Sequence, residues 1–233
     1  MCTVSFVPTA TGFRLAMNRD EKRSRVAALP PAAFKISKRR VLYPREPSGG
    51  TWLAVNDAGL CLALINWHRI ERQPVGRIES RGEIIPALMG EKDSNSIARR
   101  LRRMPLRKKR PFRLIVSDPQ NQRLIEWQWD AKSLKTQRYR WERHHWYSSG
   151  YDERAAEESR AAVCEKYSLD TLATMRKLHA SHLPKRGPFS ICMHRPDAAT
   201  VSYSEVSVMG RRIAMSYQAG APCKERRRVT RRL

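Results

Sequence analysis

Along this chain apolar residues alternate with polar or small ones in short runs, each closed by turn residues. Thr3 to Val7 is β-rich, Pro8 to Gly12 is turn-like, and Phe13, Leu15 and Met17 recur with period two, which predicts a hairpin from Cys2 to Asn18. Two further hairpins are predicted. One joins 51–55 to 60–66 across Asn56-Asp57-Ala58-Gly59; the other joins 112–117 to 123–129 across Asp118-Pro119-Gln120-Asn121-Gln122. The period lengthens in three places. Ser94 can cap a helix reaching about Met104, with Ile97 and Leu101 inward, and helices are expected over 152–167 and 168–183, the latter on Leu169, Leu172, Met175 and Leu178. After Pro188 strands return over 189–193, 199–208 and 211–217, whereas the basic, Pro-punctuated stretch Lys35 to Pro47 predicts a surface loop leading to Ser48-Gly49-Gly50. Strands and helices so segregated predict an α+β protein, antiparallel sheets covered by helices.

Composition fixes the scale. The 233 residues, 41% hydrophobic with six tryptophans, suit one domain over 1–223, followed by a basic tail, 224–233, that is expected to lie outside it. No run approaches the roughly 20 apolar residues that span a bilayer, and the N-terminus lacks a basic segment followed by a long apolar one, so a soluble, cytoplasmic protein is expected. Five widely spaced cysteines without a C-x-x-C pair argue against a disulfide framework or a structural zinc site.

The net charge of +24 changes the picture of partners. Nine basic residues and no acid lie between Ser94 and Ser117, and six more between Lys224 and Arg232. Such clusters attract polyanions, but with no nucleic-acid-binding motif beside them only weak contacts through this patch and tail are expected, and the main partner expected is a small-molecule substrate. His179 and His182 at i,i+3, His144-His145 before Trp146, and Cys192-Met193-His194 invite a metal or haem reading. With no C-x-x-C-H, no carboxylate–histidine spacing and no third clustered ligand, neither a cofactor nor a metal is expected.

The candidate chemistry starts at the second residue. Met1 before so small a side chain as Cys2 is normally trimmed, and Cys2 would then carry a thiol nucleophile and an α-amine with a reference pKa of roughly 7.7–8.0. Equally, Cys2 is a small hydrophobe suited to a buried first strand. The hairpin returns Asn18-Arg19-Asp20-Glu21 to its side. Asp20 is the candidate group to orient the amine, Arg19 the candidate to lower the thiol pKa or hold substrate charge, and Asn18 and Glu21 are candidate substrate contacts. Neighbours on a strand face opposite ways, so Arg19 and Asp20 both meet Cys2 only where the strand ends or bulges. Asn56 and Asn66 are the candidate oxyanion amides, although Asn56 is also good turn chemistry. Gly49-Gly50 would allow close backbone approach to a ligand.

Met1-Cys2-Thr3, the letters N-R-D-E at 18–21, and Gly49-Gly50-Thr51-Trp52-Leu53-Ala54-Val55-Asn56 with Gly59 together resemble the NRDE family, also called the Transport and Golgi Organisation protein 2 family. Ser80-Arg81-Gly82-Glu83 and Phe112 to Val116 with Asp118 fit it as well. The resemblance implies the four-layer α-β-β-α sandwich of amino-terminal-nucleophile hydrolases. It implies cysteine-dependent attack on a small amide, or alternatively a non-catalytic binding or trafficking protein concerned with haem or lipid homeostasis. In related acylases a Leu-Ser-Asn element supplies an oxyanion donor; here the element is Tyr147-Ser148-Ser149-Gly150, which leaves Ser149 as a candidate substrate contact. In those acylases an arginine lies three residues before the aspartate, a place held by Met17 here, and Arg195 matches a late arginine of the family.

Overall fold

The N-terminal hairpin forms as its period predicts, from Cys2–Thr9 (β1) and Gly12–Lys22 (β2). Gly12 is required by space as well as by the turn, because a Cβ there would stand 2.1 Å from the Val208 carbonyl oxygen. The remaining strands are Leu29–Ile36 (β3), Arg39–Arg45 (β4), Leu53–Asn56 (β5), Cys61–Asn66 (β6), Phe112–Asp118 (β7), Arg123–Trp129 (β8), Leu134–Tyr139 (β9), His144–Ser148 (β10), Ala198–Met209 (β11), Arg212–Ala219 (β12) and Val229–Arg232 (β13). Helices are Ile84–Leu88 (α1), Ser94–Arg103 (α2), Glu153–Cys164 (α3) and Leu172–His179 (α4). This computed structural model describes residues 2–224 and 227–233.

Two antiparallel sheets result. One runs β10-β1-β2-β11-β12-β13, the other is the continuous meander β3 to β9. Period two divides each central strand between two apolar layers. Phe13, Leu15 and Met17 of β2 meet Leu53, Val55 and Ala63 of the second sheet in the central core, while Ala16 turns outward to Met175 and Leu178 of α4. On the far face of the meander, Leu62, Leu114 and Val116 pack against Ile85, Leu88, Ile97 and Leu101 of α1 and α2. Three apolar interfaces between four layers make this the α-β-β-α sandwich that the resemblance implies.

Several expectations are corrected. The stretch 35–47 is not a loop but contains the end of β3 and all of β4; Phe34 stacks on Tyr43 with ring centroids 4.3 Å apart, Pro30 and Pro31 are tolerated because β3 is an edge strand, and Pro44 because it falls at the β3–β4 register slip and beyond the β4–β5 ladder. Helix α2 is capped by Asp93, which accepts the Ser96 amide at 2.7 Å, not by Ser94. The last predicted helix shortens to α4 behind a Thr171 capping box, which leaves His182 beyond its end. Residues 189–193 form no strand: the Cys192 amide bonds to the Ser181 carbonyl and that of Met193 to the Thr200 hydroxyl, so the backbone is satisfied without a ladder. Strands β9 and β10 were absent from the sequence pattern because Lys135, Gln137, His144 and His145 break the apolar alternation. Among the described residues no helix is long and apolar enough to cross a membrane.

The basic tail, expected outside the domain, instead supplies β13, which pairs with β12 from Ala214↔Arg232 to Tyr217↔Val229; Glu225 and Arg226 lie outside the described residues. Its few apolar groups hid this. Leu233 packs on the central core and its amide bonds to the Ile213 carbonyl. Deleting 229–233 is therefore expected to cost about 2 kcal/mol and lower the melting temperature by about 4–8 °C, read by calorimetry. A melting curve that does not move would return the tail to the exterior.

Candidate active site

The strand register builds the site. Cys2 stands opposite Arg19 of β2 on one side and Ser148 of β10 on the other, and Arg19 in turn stands opposite Ser202 of β11. Directly opposed residues share a face, so Ser148, Cys2, Arg19 and Ser202 form one row across four strands. Cys2 and Arg19, the middle of the row, line a cleft of about 590 Å³ together with Asp20, Glu21, Asn66, Trp52, His68 and Arg81. The Ser148 and Ser202 hydroxyls and the Trp52 indole N–H are buried without a hydrogen-bond partner among the described residues.

Arg19 is held rigidly. Its guanidinium stacks 4.3 Å from the Trp52 ring centroid, donates to Glu46 at 2.5 Å and lies 3.7 Å from Glu21. Asp20, one residue on, turns to the helical layer. Its Oδ1 accepts the Thr200 hydroxyl at 2.6 Å, and its Oδ2 accepts Arg160 Nη2 of α3 at 3.3 Å. The register slip between Thr200 and Ser202 lets Thr200 remain opposite Asp20 while Ser202 faces Arg19. Arg160, fully buried, also donates to the Thr3 hydroxyl at 3.0 Å and the Cys2 carbonyl at 3.4 Å. Arg19 and Asp20 thus reach Cys2 from opposite faces, Arg19 beside the side chain and Asp20 through a network that touches the backbone.

Burial pushes the Cys2 thiol above its ordinary value; the attraction of Arg19 is a smaller opposing effect. Arg19 does act in the expected direction, but burial outweighs it, and a thiol so raised needs a base to become a nucleophile. Burial also pulls His68 down to about 4, leaving a neutral imidazole at pH 7, and Arg81 down to about 10, still a cation. Gly150 gives His68 its room, since a Cβ there would stand 3.1 Å from the ring.

Of the residues singled out from sequence, Cys2, Arg19, Asp20, Glu21 and Asn66 line the cleft. The others lie elsewhere. Asn56 spends its amide N–H groups on the Met89 and Glu91 carbonyls and its oxygen on the Ala58 and Leu60 amides, the turn role rather than the oxyanion one. Asn18 donates to the His179 and Ile191 carbonyls under the helical layer, facing away from Arg19. Ser149 accepts the Tyr151 amide, and Arg195 pairs with Asp197 at 2.7 Å and lies 4.9 Å over Tyr151. Gly50 packs on the Gly82 backbone, where a Cβ would come within 3.1 Å, and so serves packing between loops rather than approach to a ligand. Missing from the sequence reading were Arg160, Ser148, His68 and Trp52. Only Ser148 and Trp52 fell within motifs already noted; nothing marks Arg160 among 46 basic residues.

Two packed sheets with the nucleophile candidate at the start of an inner strand define the amino-terminal-nucleophile hydrolase fold. Penicillin V acylase from Agrobacterium tumefaciens superposes with a TM-score of 0.53 at 10% identity, over 94% of this chain and 83% of that one. A mutant conjugated bile acid hydrolase from Clostridium perfringens gives 0.57 at 10% identity over 100% and 92%, and a second variant of it gives 0.56 at 11% over 99% and 92%. No curated protein matches the sequence. The family model for Transport and Golgi organisation 2 matches residues 1–193, and the chain belongs to that family.

Proposed function

We propose that the protein is an amino-terminal-cysteine amidohydrolase acting on a small linear amide. Cys2 and Arg19 at the cleft, with Ser148 opposite Cys2 in the sheet and Asp20, Arg160 and Thr200 behind, carry this reading. After removal of Met1 the α-amine takes the thiol proton and Sγ attacks the amide carbonyl. The C–N bond then breaks as the ammonium returns that proton to the leaving amine, and a water deprotonated by the same amine hydrolyses the thioester. Ser148, whose hydroxyl is uncommitted beside Cys2, is the side-chain donor this chain offers to the oxyanion where related acylases use an amide. Arg81 and Arg110 line the cleft without a carboxylate partner among the described residues, which favours an anionic substrate such as an N-acyl amino acid.

The test combines intact mass with turnover of N-acyl amino acids and their neutral amide analogues. Expected are loss of Met1, preference for the anionic series, and a fall of about 10⁴-fold or more in Cys2→Ala. Active protein that retains Met1, or turnover that survives Cys2→Ala, would overturn the reading. A binding protein that keeps the fold is the second reading, favoured by hydroxyls at Ser148 and Ser149 in place of an amide; folded, Met1-free protein that binds N-acyl amino acids without cleaving them would establish it.

A further inference from the structure

Away from Cys2, four side chains from three separate segments converge. His182 follows α4, Cys192 and His194 lie in the irregular segment before β11, and Cys223 lies in the turn after β12. Their ligand atoms all fall within 4.8 Å of one another. His194 Nε2 is 3.1 Å from His182 Nε2 and 3.5 Å from the sulfur of each cysteine. Tetrahedral zinc, with Zn–N of about 2.0–2.1 Å and Zn–S of about 2.3 Å, requires edges of about 3.3 Å for N···N and about 3.5 Å for N···S. The three edges that meet at His194 are already near these values, and the others are within 4.8 Å.

We propose that His182, Cys192, His194 and Cys223 form a structural zinc site of the Cys₂His₂ type. Two neutral imidazoles and two thiolates balance the charge of the ion, and a complete set of four protein ligands is the closed arrangement of structural rather than catalytic zinc. The backbone around the ligands is fixed in advance. Cys192 is tied to Ser181 and by its carbonyl to the Ser190 hydroxyl at 2.7 Å, the His194 amide to Gly187 at 3.1 Å, and the turn carrying Cys223 is clamped by the buried Gln218 amide, which donates to the Ala221 and Lys224 carbonyls at 3.0 Å. One contact opposes loading. Arg186 approaches His194 Nδ1 at 3.4 Å, and ligation through Nε2 leaves the ring proton on Nδ1, so this exposed guanidinium must swing away. The expectation of no third clustered ligand is thereby corrected: His182, Cys192 and His194 stood out in the sequence, but without C-x-x-C spacing nothing joined them, and Cys223, which completes the set, arrives from beyond β12.

Binding joins the C-terminal turn to the segment between α4 and β11. It makes four ligands of groups that the proposed hydrolysis leaves unused.

The experiment uses the full chain, purified reduced and without an affinity tag. Elemental analysis is expected to find about one zinc per chain, and cobalt substitution to give the thiolate charge-transfer and intense visible bands of a tetrahedral S₂N₂ site. Chelation should lower the melting temperature. Cys223→Ser, in a half-buried turn, should weaken zinc binding by at least about a hundredfold while circular dichroism stays native, and His182→Gln should do the same; outer partners alone are worth about 10–100-fold. Cys2→Ala should keep its zinc. Folded wild-type protein that takes up neither zinc nor cobalt, zinc affinity unchanged in Cys223→Ser, or an intact mass showing Cys192 and Cys223 joined as a disulfide in the reduced preparation would overturn the proposal.

Discussion

Replacing Arg160 with methionine is expected to lower the unfolding free energy by about 3–5 kcal/mol, because the substitution leaves Asp20 charged, buried and short of its guanidinium. The carboxylate would keep the Thr200 hydroxyl but lose the guanidinium, and the Thr3 hydroxyl and Cys2 carbonyl would lose this donor. The double substitution Asp20→Asn with Arg160→Met removes both charges. It is expected to recover a large part of the loss, since a buried ion pair costs more to break than to delete. Urea unfolding at pH 7 measures all three variants. A loss below about 1 kcal/mol in the single Arg160 variant would mean that water reaches Asp20, and the network would then be too loose to position the Cys2 backbone.

Mild acid is expected to destabilise the protein, beginning below about pH 6.5. His179, fully buried, donates Nδ1–H to Asn18 Oδ1 at 3.1 Å, because both Asn18 amide hydrogens go to carbonyls, and its Nε2 accepts the Ser5 hydroxyl at 2.9 Å. His145 Nδ1 lies 2.9 Å from the same hydroxyl. The chain of bonds needs a neutral His179, whose Nε2 must accept, and a proton on His145 Nε2 would be buried without a partner among the described residues. Burial holds His179 down at about 3 and His145 at about 4. A histidine pKa of roughly 6.5 in the unfolded chain means that the unfolded state binds more protons below that pH. The stabilisation is therefore fully present above pH 6.5 and is lost as pH falls toward 4 and then 3. At pH 5 the two rings together should have withdrawn on the order of 3–4 kcal/mol, at about 1.4 kcal/mol per unit for each. Urea midpoints at pH 7 and 5 test this, and equal midpoints would show that the rings do not stay neutral.

The sequence was most legible where structure is local. Period-two runs around short turns identified β1 with β2, β5 with β6 and β7 with β8, and the first of these hairpins alone carries Cys2 back to Arg19. Failure followed where pairing is remote or where charge masks a strand. β4 carries Arg39, Arg40 and Arg45 around Val41 and Tyr43, and β13 is almost wholly polar, so neither shows an apolar period. In the site, Ser148 reaches Cys2 only through β10, and Arg160 through the packing of α3 on that sheet. Asn56 and Asn18 were the right residue type in the wrong place, since a short-range pattern does not reveal which face a buried amide serves. His182, Cys192 and His194 were noticed singly, but their convergence with Cys223 was hidden for the same reason of distance.

The strand order has a further consequence for synthesis on the ribosome. The meander β3 to β9 pairs each strand with its neighbour in sequence, so it can zip as it emerges. The hairpin β1-β2 is made first, yet its two flanking strands, β10 and β11, arrive among the last. Throughout that interval the hairpin bearing Cys2 presents two unpaired edges to other nascent chains, and the newborn polypeptide is most open to misassembly and most dependent on chaperones while the second sheet is already closed.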